Sequence, residues 1–204
     1  MAVITISREF GAGGRTLGQL VAEKLGYTLI DETLIEMVAN EANVSTDWVK
    51  SIEKQGSGSI IKYISKFAGL GKGYLSRLAD INKGYIDGSI YINLLQKIIP
   101  QIAQEGNVVI LGRGGQYILK NYESTYHLLL VADLEDRITF MEEHYDLSRK
   151  EAGMIVKQHD KRRKSLYSYF GRDDYDQPHI YHMAFNMSLL KMEKVVNQVC
   201  LLVD

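Results

Sequence analysis

Short apolar runs alternate along the chain with longer stretches in which apolar residues recur every three or four positions. "VITIS" (3–7), "YTLID" (27–31), "NVVIL" (107–111), "YHLLLV" (126–131) and "MAFNM" (183–187) are too short for buried helices and read as strands. The third and fourth are almost continuously apolar, as in strands covered on both faces. Between them lie helical patterns. Leu17, Leu20, Val21 and Leu25 share one helical face, and Gly26 supplies the stop. "ETLIEMVANEA" (32–42) is a second helix, and "SIYINLLQKIIPQIAQEG" (89–106) is a long striped one, in which Pro100 predicts a kink or break. Asp133 can cap a helix over 134–144, "SRKE" (148–151) is a capping box that opens a charged helix, and Ser188 can cap the last one. Segment 45–88 is broken by "KQGSGS" (54–59) and "GLGKG" (69–73), and reads as an insertion of short helices joined by mobile turns. Strand, helix and strand within about thirty residues form a βαβ unit. Five such strands alternating with helices predict a three-layer α/β sandwich around a five-stranded parallel sheet.

Bulk properties narrow the function. The 204 residues suit a single domain with an elaboration, with 46% hydrophobic and 24% charged residues. A net charge of −1 excludes a generic nucleic-acid or membrane binder, so any basic patch must be local. The single cysteine, Cys200, rules out an internal disulfide framework and reads as a packed residue. Arg8 and Glu9 interrupt the first apolar run, unlike a signal peptide, and no stretch approaches the ~20 apolar residues of a membrane helix. The expectation is a cytoplasmic protein. His127, His144, His159, His179 and His182 show no metal-ligand spacing with carboxylates.

Candidate chemistry starts directly after the first strand. "FGAGGRT" (10–16) sets Gly11, Ala12, Gly13 and Gly14 in a turn that leads into a helix, followed by Arg15 and Thr16. Glycines let backbone N–H groups converge on an anion, and the helix N-terminus adds positive potential. Thr16 stands where a hydroxyl would bind Mg²⁺. Against GxxxxGK[ST], Arg15 replaces lysine and Glu9 stands at the first glycine. A plain strand-to-helix turn would use the same glycines; position at the end of the first strand favours the phosphate reading. Arg15 is the candidate replacement cation, binding phosphate as a fork rather than as a point charge.

Several segments, taken in order, resemble the cytidylate kinase-like family: "ITISREFGAGGRTLG", "YTLIDETLIEMVA", "NVVILGRGGQYIL", "HLLLVADLEDRI", "HDKRR" and "FNMSLLKMEKVV". The resemblance covers most of the chain except about 45–88 and is to the divergent branch of that family. It implies the P-loop nucleoside monophosphate kinase fold, one domain over 1–204, with 45–88 as the acceptor-binding insertion and a basic lid at about 148–172. Gly11-Ala12-Gly13 matches the family's "GAG" and Thr16 its threonine, which puts Gly14 at the lysine position with Arg15 beside it. Asp31 resembles the aspartate that opens the monophosphate-binding region. Gly112-Arg113 matches the "GR" of "DGRD", whose arginine meets the acceptor; Leu111 and Gly114 replace the flanking aspartates. "DKRR" resembles the lid's "DxxR", pairing Asp160 with Arg163, and Asn186-Met187-Ser188 falls where the family has an Asp-Ser/Thr pair.

The lid also stands out by charge. Residues 157–172 carry six cations against Asp160, 6 − 1 = +5 in a chain of net −1. A solvated helix face would explain this, as would a lid whose Arg162 and Arg163 meet a transferred phosphoryl group. The aromatics of "YSYFGRDDYDQPHIY" read as packing of the lid on the core, with base stacking as the alternative. The resemblance implies ATP and Mg²⁺ as cofactors and a small phosphorylated acceptor, CMP or dCMP first. Arg15, Arg162 and Arg163 would be catalytic. Gly11–Thr16 would hold ATP, with Thr16 on the metal, and Asp31, Arg113 and Asp160 would bind substrate. Two alternatives remain: kinase action on another small acceptor, and a nucleotide-binding regulator with little turnover. Trp48, Phe67 and Leu70 in the insertion are suited to covering the acceptor or to forming a homo-oligomer interface.

Overall fold

The computed structural model describes residues 1–31, 34, 36, 37, 46, 50 and 86–203. The rest of the 32–42 helix and almost all of the 45–88 insertion, including Trp48, Phe67 and Leu70, lie outside the described residues.

All five apolar runs form strands: β1 (Val3–Arg8), β2 (Thr28–Ile30), β3 (Val108–Leu111), β4 (Thr125–Val131) and β5 (Met183–Asn186). Every pairing is parallel, in the order β2-β3-β1-β4-β5. β1 sits at the centre, and its side chains alternate between two cores. Ile4 and Ile6 join Leu17 and Val21 of α1 (Gly14–Leu25), with the final helix on the same face. Val3 joins Tyr91, Leu95 and Ile99 of α2 (Ile86–Glu105) on the opposite face. Helix, sheet and helix are therefore three layers, because each side of a doubly apolar strand needs its own cover.

The remaining elements are α3 (Gly115–Ile118), α4 (Leu134–Tyr145), α5 (Arg149–Ser168), a 3₁₀ turn at Pro178–Ile180 and α6 (Met192–Val203). The predicted capping box is present: Ser148 Oγ accepts from Glu151 N, and Glu151 Oε2 accepts from Ser148 N at 2.9 Å. Two helix expectations need correction. α2 runs through Pro100 without a break. Proline removes only its own N–H, and buried Ile98, Ile99 and Ile102 hold both halves of the helix on the sheet. Neither Asp133 nor Ser188 caps as expected. Asp133 stands at the N-cap of α4 but its side chain makes no capping bond, and its N–H donates to Ser188 Oγ at 2.8 Å. Ser188 thus ties the loop after β5 to the loop after β4, and α6 starts only at Met192.

The strand order also locates a crevice. Leaving β1, the chain enters α1 on one face; leaving β3, it enters α3 on the other, where Gly115 lies against Thr5. Connections that depart to opposite faces from adjacent parallel strands open a gap at their carboxyl ends, the usual ligand position in such sheets.

Candidate functional site

Two glycine-rich loops flank that crevice. In the first, Gly11 and Gly13 have φ of 87° and 79°, so the chain can turn tightly into α1. Gly13 is the N-cap of α1 and offers no side-chain cap, and the first turn carries no acidic residue. The helix N–H groups there lack an internal partner, as anion sites require. Ala12 and Gly14 are buried, whereas Arg15 and Thr16 are exposed. In the second loop, Gly112, Arg113 and Gly114 take φ of 74°, 53° and 75° in succession. A non-glycine residue held left-handed between two glycines is strained, and here the strain aims Arg113 back across the crevice.

Arg113 and Arg15 both meet Asp31 at the end of β2. Arg113 Nη1 donates to Asp31 O at 2.9 Å and stands 3.5 Å from its Oδ1, while Arg15 Nε is 3.6 Å from Oδ2. The Arg113 side chain is largely buried and that of Arg15 is two-thirds exposed. Arg15, the loop's expected phosphate cation, thus stands near Asp31 and is not among the residues that line the cavity described next.

The cavity, of about 260 Å³, lies between the first loop, Arg113 and α5. Arg8, Arg113, Arg162 and Arg163 line it, with Lys50 from the insertion. Phe10, His159, Leu166 and Tyr167 complete the wall. Phe10 and His159 stack with ring centroids 3.8 Å apart. Burial, then the charges of Arg162 and Arg8, lower the His159 pKa, so this ring adds no fixed positive charge at neutral pH. Arg162 Nε is buried without a hydrogen-bond partner among the described residues. Arg163 is held by Asp176 in a two-point clamp at 2.6 and 3.1 Å, and lies 5.4 Å from the Tyr175 ring centre. Lys161 and Lys164 are exposed on the other side of α5. The basic segment is therefore divided: part faces the cavity and part faces water.

Asp160, matched with Arg163 to the family's "DxxR", bonds to α4 and to the glycine loop. Its Oδ2 accepts from Arg137 Nη1 at 2.8 Å and its Oδ1 accepts from Phe10 N at 3.4 Å. Arg137 also donates to Phe10 O at 3.3 Å and approaches Glu9 at 3.8 Å. One buried arginine on α4 thus joins the glycine loop to α5. The backbone of Arg137 also forms the floor beneath Gly11, where an added Cβ would stand 3.0 Å from Arg137 O. Arg137 lies within the "HLLLVADLEDRI" segment that carries the resemblance, where no role was assigned to it. The usable signal is its position on the helix face of Ile138 and Met141, where a charge must be paired.

Arg8 was missed; the signal that could have found it is a cation ending an apolar strand at the ligand-binding edge of a parallel sheet. The aromatics at the end of α5 and beyond it pack on the core. Tyr167 stacks on Tyr175 at 5.2 Å and meets Tyr117 edge-on at 5.7 Å, and Phe170 closes over Gly114, where a Cβ would stand 2.4 Å from the ring.

The set suits a phosphorylated ligand: a glycine loop at a helix start, backed by clustered guanidinium groups. For Mg²⁺ the available protein donor is the exposed Thr16 hydroxyl, and no group of three His, Cys, Asp or Glu is found among the described residues. A hard cation that keeps several waters and binds phosphate oxygens is compatible with so sparse a set.

The fold recurs in solved structures. An uncharacterized protein from Eubacterium ventriosum superposes with a TM-score of 0.70 at 20% identity, covering 100% of this chain and 98% of that one. Shikimate kinase from Bacteroides thetaiotaomicron gives 0.53 at 16% identity, covering 99% and 98%. A gluconokinase from Sinorhizobium meliloti gives 0.52 at 12%, covering 97% and 88%. The architecture is that of the P-loop kinases. No curated protein sequence matches this chain significantly. The family model described as cytidylate kinase-like matches residues 3–189, nearly the full length, and the chain belongs to the cytidylate kinase-like family.

Proposed function

We propose that this protein transfers the terminal phosphoryl group of ATP to a nucleoside monophosphate, with CMP or dCMP as the first acceptors to test. The observation that carries the reading is the convergence of Arg113, Arg162 and Arg163 on one cavity beside the glycine loop. Bound MgATP supplies the phosphoryl group and a divalent charge on its phosphate oxygens. The Gly11–Thr16 turn cradles the donor phosphates, and Thr16 is the metal's protein ligand. Asp31 holds Arg113 in place, and Arg113 meets the acceptor phosphate. Arg162 and Arg163 neutralise charge on the group in transit, and the Asp160–Arg137 pair fixes α5 against the loop that holds the donor. Catalysis of this kind is positioning and charge stabilisation, which a cluster of oriented guanidinium groups supplies.

Leu111 and Gly114 beside Arg113 support a second acceptor class, another small phosphorylated or hydroxyl compound, because the aspartates implied by the resemblance are not there. ADP formation from ATP and Mg²⁺ across a panel of nucleoside monophosphates and other small acceptors separates the readings. CMP-dependent turnover is expected, and Arg113→Ala should reduce it about a hundredfold, the typical loss for one charge-stabilising donor. Turnover with a non-nucleotide acceptor alone selects the second class. Tight ATP binding without acceptor-dependent turnover rejects both and leaves a nucleotide-binding regulator.

A further inference from the structure

The family resemblance places a lysine at position 14, and this chain has glycine there. The surroundings of Gly14 explain what fills the space. A Cβ at Gly14 would stand 2.6 Å from Arg8 Cγ, 3.0 Å from its Cβ and 3.1 Å from its Cδ. The aliphatic stem of Arg8 therefore runs through the volume that any side chain at position 14 would enter first. At its far end, Arg8 Nη1 would be 2.0 Å from a Cβ at Gly112. Two glycines in separate loops are thus kept bare around one side chain, and its guanidinium reaches the cavity beside Arg113, Arg162 and Arg163.

The nearby carboxylates are committed elsewhere. Glu9 accepts from Ala132 N at 2.9 Å, Asp31 is shared by Arg15 and Arg113, and Asp176 clamps Arg163. Among the described residues Arg8 has no hydrogen bond or ion pair. Removal from water lowers its pKa, as do Arg113 and Arg163, while Tyr167 and Asp31 act in the opposite direction. A half-buried guanidinium packed among its own kind is costly until an anion of several charges joins the group.

We propose that Arg8 is the phosphate-binding cation of this lysine-less loop, delivered from the end of β1 instead of the start of α1. The inference rests on the phosphoryl-transfer reading above, and it assigns the donor-phosphate contact to a residue that the loop motif does not include. A guanidinium in that place grips two phosphate oxygens in a plane, where a lysine would offer a single point of charge.

Calorimetric titration with MgATP and with inorganic tripolyphosphate tests it. Arg8→Met keeps a stem against Gly14 and removes the charge. It should weaken both ligands at least tenfold while leaving the melting temperature near that of the parent, and Arg8→Lys should fall between the two. Gly14→Lys alone should melt at lower temperature, because its Cβ meets the Arg8 stem. The double change Arg8→Ala, Gly14→Lys should recover most of the lost affinity by restoring a lysine to the emptied volume. Arg8→Met with parental affinity overturns the proposal and leaves the phosphoryl-transfer reading standing. A loss confined to Arg15→Ala does the same and makes Arg15 the loop's cation. A parent protein that binds neither ligand overturns both the reading and the role of Arg8.

Discussion

Arg137→Met is expected to lower the unfolding free energy by about 3 kcal/mol, the low end of the cost of removing one partner from a buried ion pair. Arg137 is 7% exposed and its partners Asp160 and Glu9 are 23% and 21% exposed. Methionine keeps an apolar stem on the helix that carries Ile138 and Met141 but takes the cation from two carboxylates, each retaining one backbone N–H. Their partial contact with water places the effect at the lower end of the range. Asp160→Asn should cost about 1 kcal/mol, since Arg137 then keeps Glu9 and a neutral acceptor. Urea denaturation at neutral pH reads both. A midpoint shift with unchanged slope is the predicted form, and a loss below about 1 kcal/mol for Arg137→Met would mean that solvent already screens the network. Arg137 touches both the glycine loop and α5, so nucleotide affinity should fall along with stability.

The second large effect is on acid stability. His127 lies within the sheet, its Nδ1 2.7 Å from Thr5 Oγ1, and is 4% exposed. Burial, reinforced by the charge of His182, lowers its pKa from 6.5 to about 4. Between those values the unfolded chain binds a proton that the folded chain does not. Folding stability is thus complete above about pH 6.5 and declines as pH falls toward 4. The difference of 6.5 − 4, about 2.5 units, corresponds to about 3 kcal/mol. Unfolding curves of the parent and His127→Gln at pH 7, 6, 5 and 4 isolate this contribution, because the carboxylates titrate alike in both proteins. The parent should lose about 3 kcal/mol more than the variant over that range. Parallel pH profiles would show that His127 takes up its proton in the folded state as readily as in the unfolded one.

Both predictions concern residues inside the quoted "HLLLVADLEDRI" segment to which the sequence assigned no role. The sheet was legible because a strand buried on both faces leaves a run of apolar residues that needs no knowledge of its partners. Ser148 with Glu151 was legible for a similar reason, since a capping box is closed by residues three apart. The first glycine loop could be read as a tight turn at the end of the first strand. The family resemblance then drew Asp31 and Arg113 to the same region, where the structure joins them.

What the chain determined alone was thus the fold, the glycine turn at Gly11 and Gly13, and a local excess of positive charge at 157–172. Tertiary structure decided the use of each charge. It turned Arg15 toward Asp31 and Asp160 toward Arg137, and it directed Arg8 through the space left at Gly14. The physical reason is range. Periodicity, capping and turns are settled by neighbours a few residues apart, whereas Asp160 meets Phe10 across 150 positions and Arg163 reaches the cavity only after α5 folds over the sheet. A guanidinium is defined chemically by its sequence position, but its function depends on which carboxylates the fold has already brought within reach.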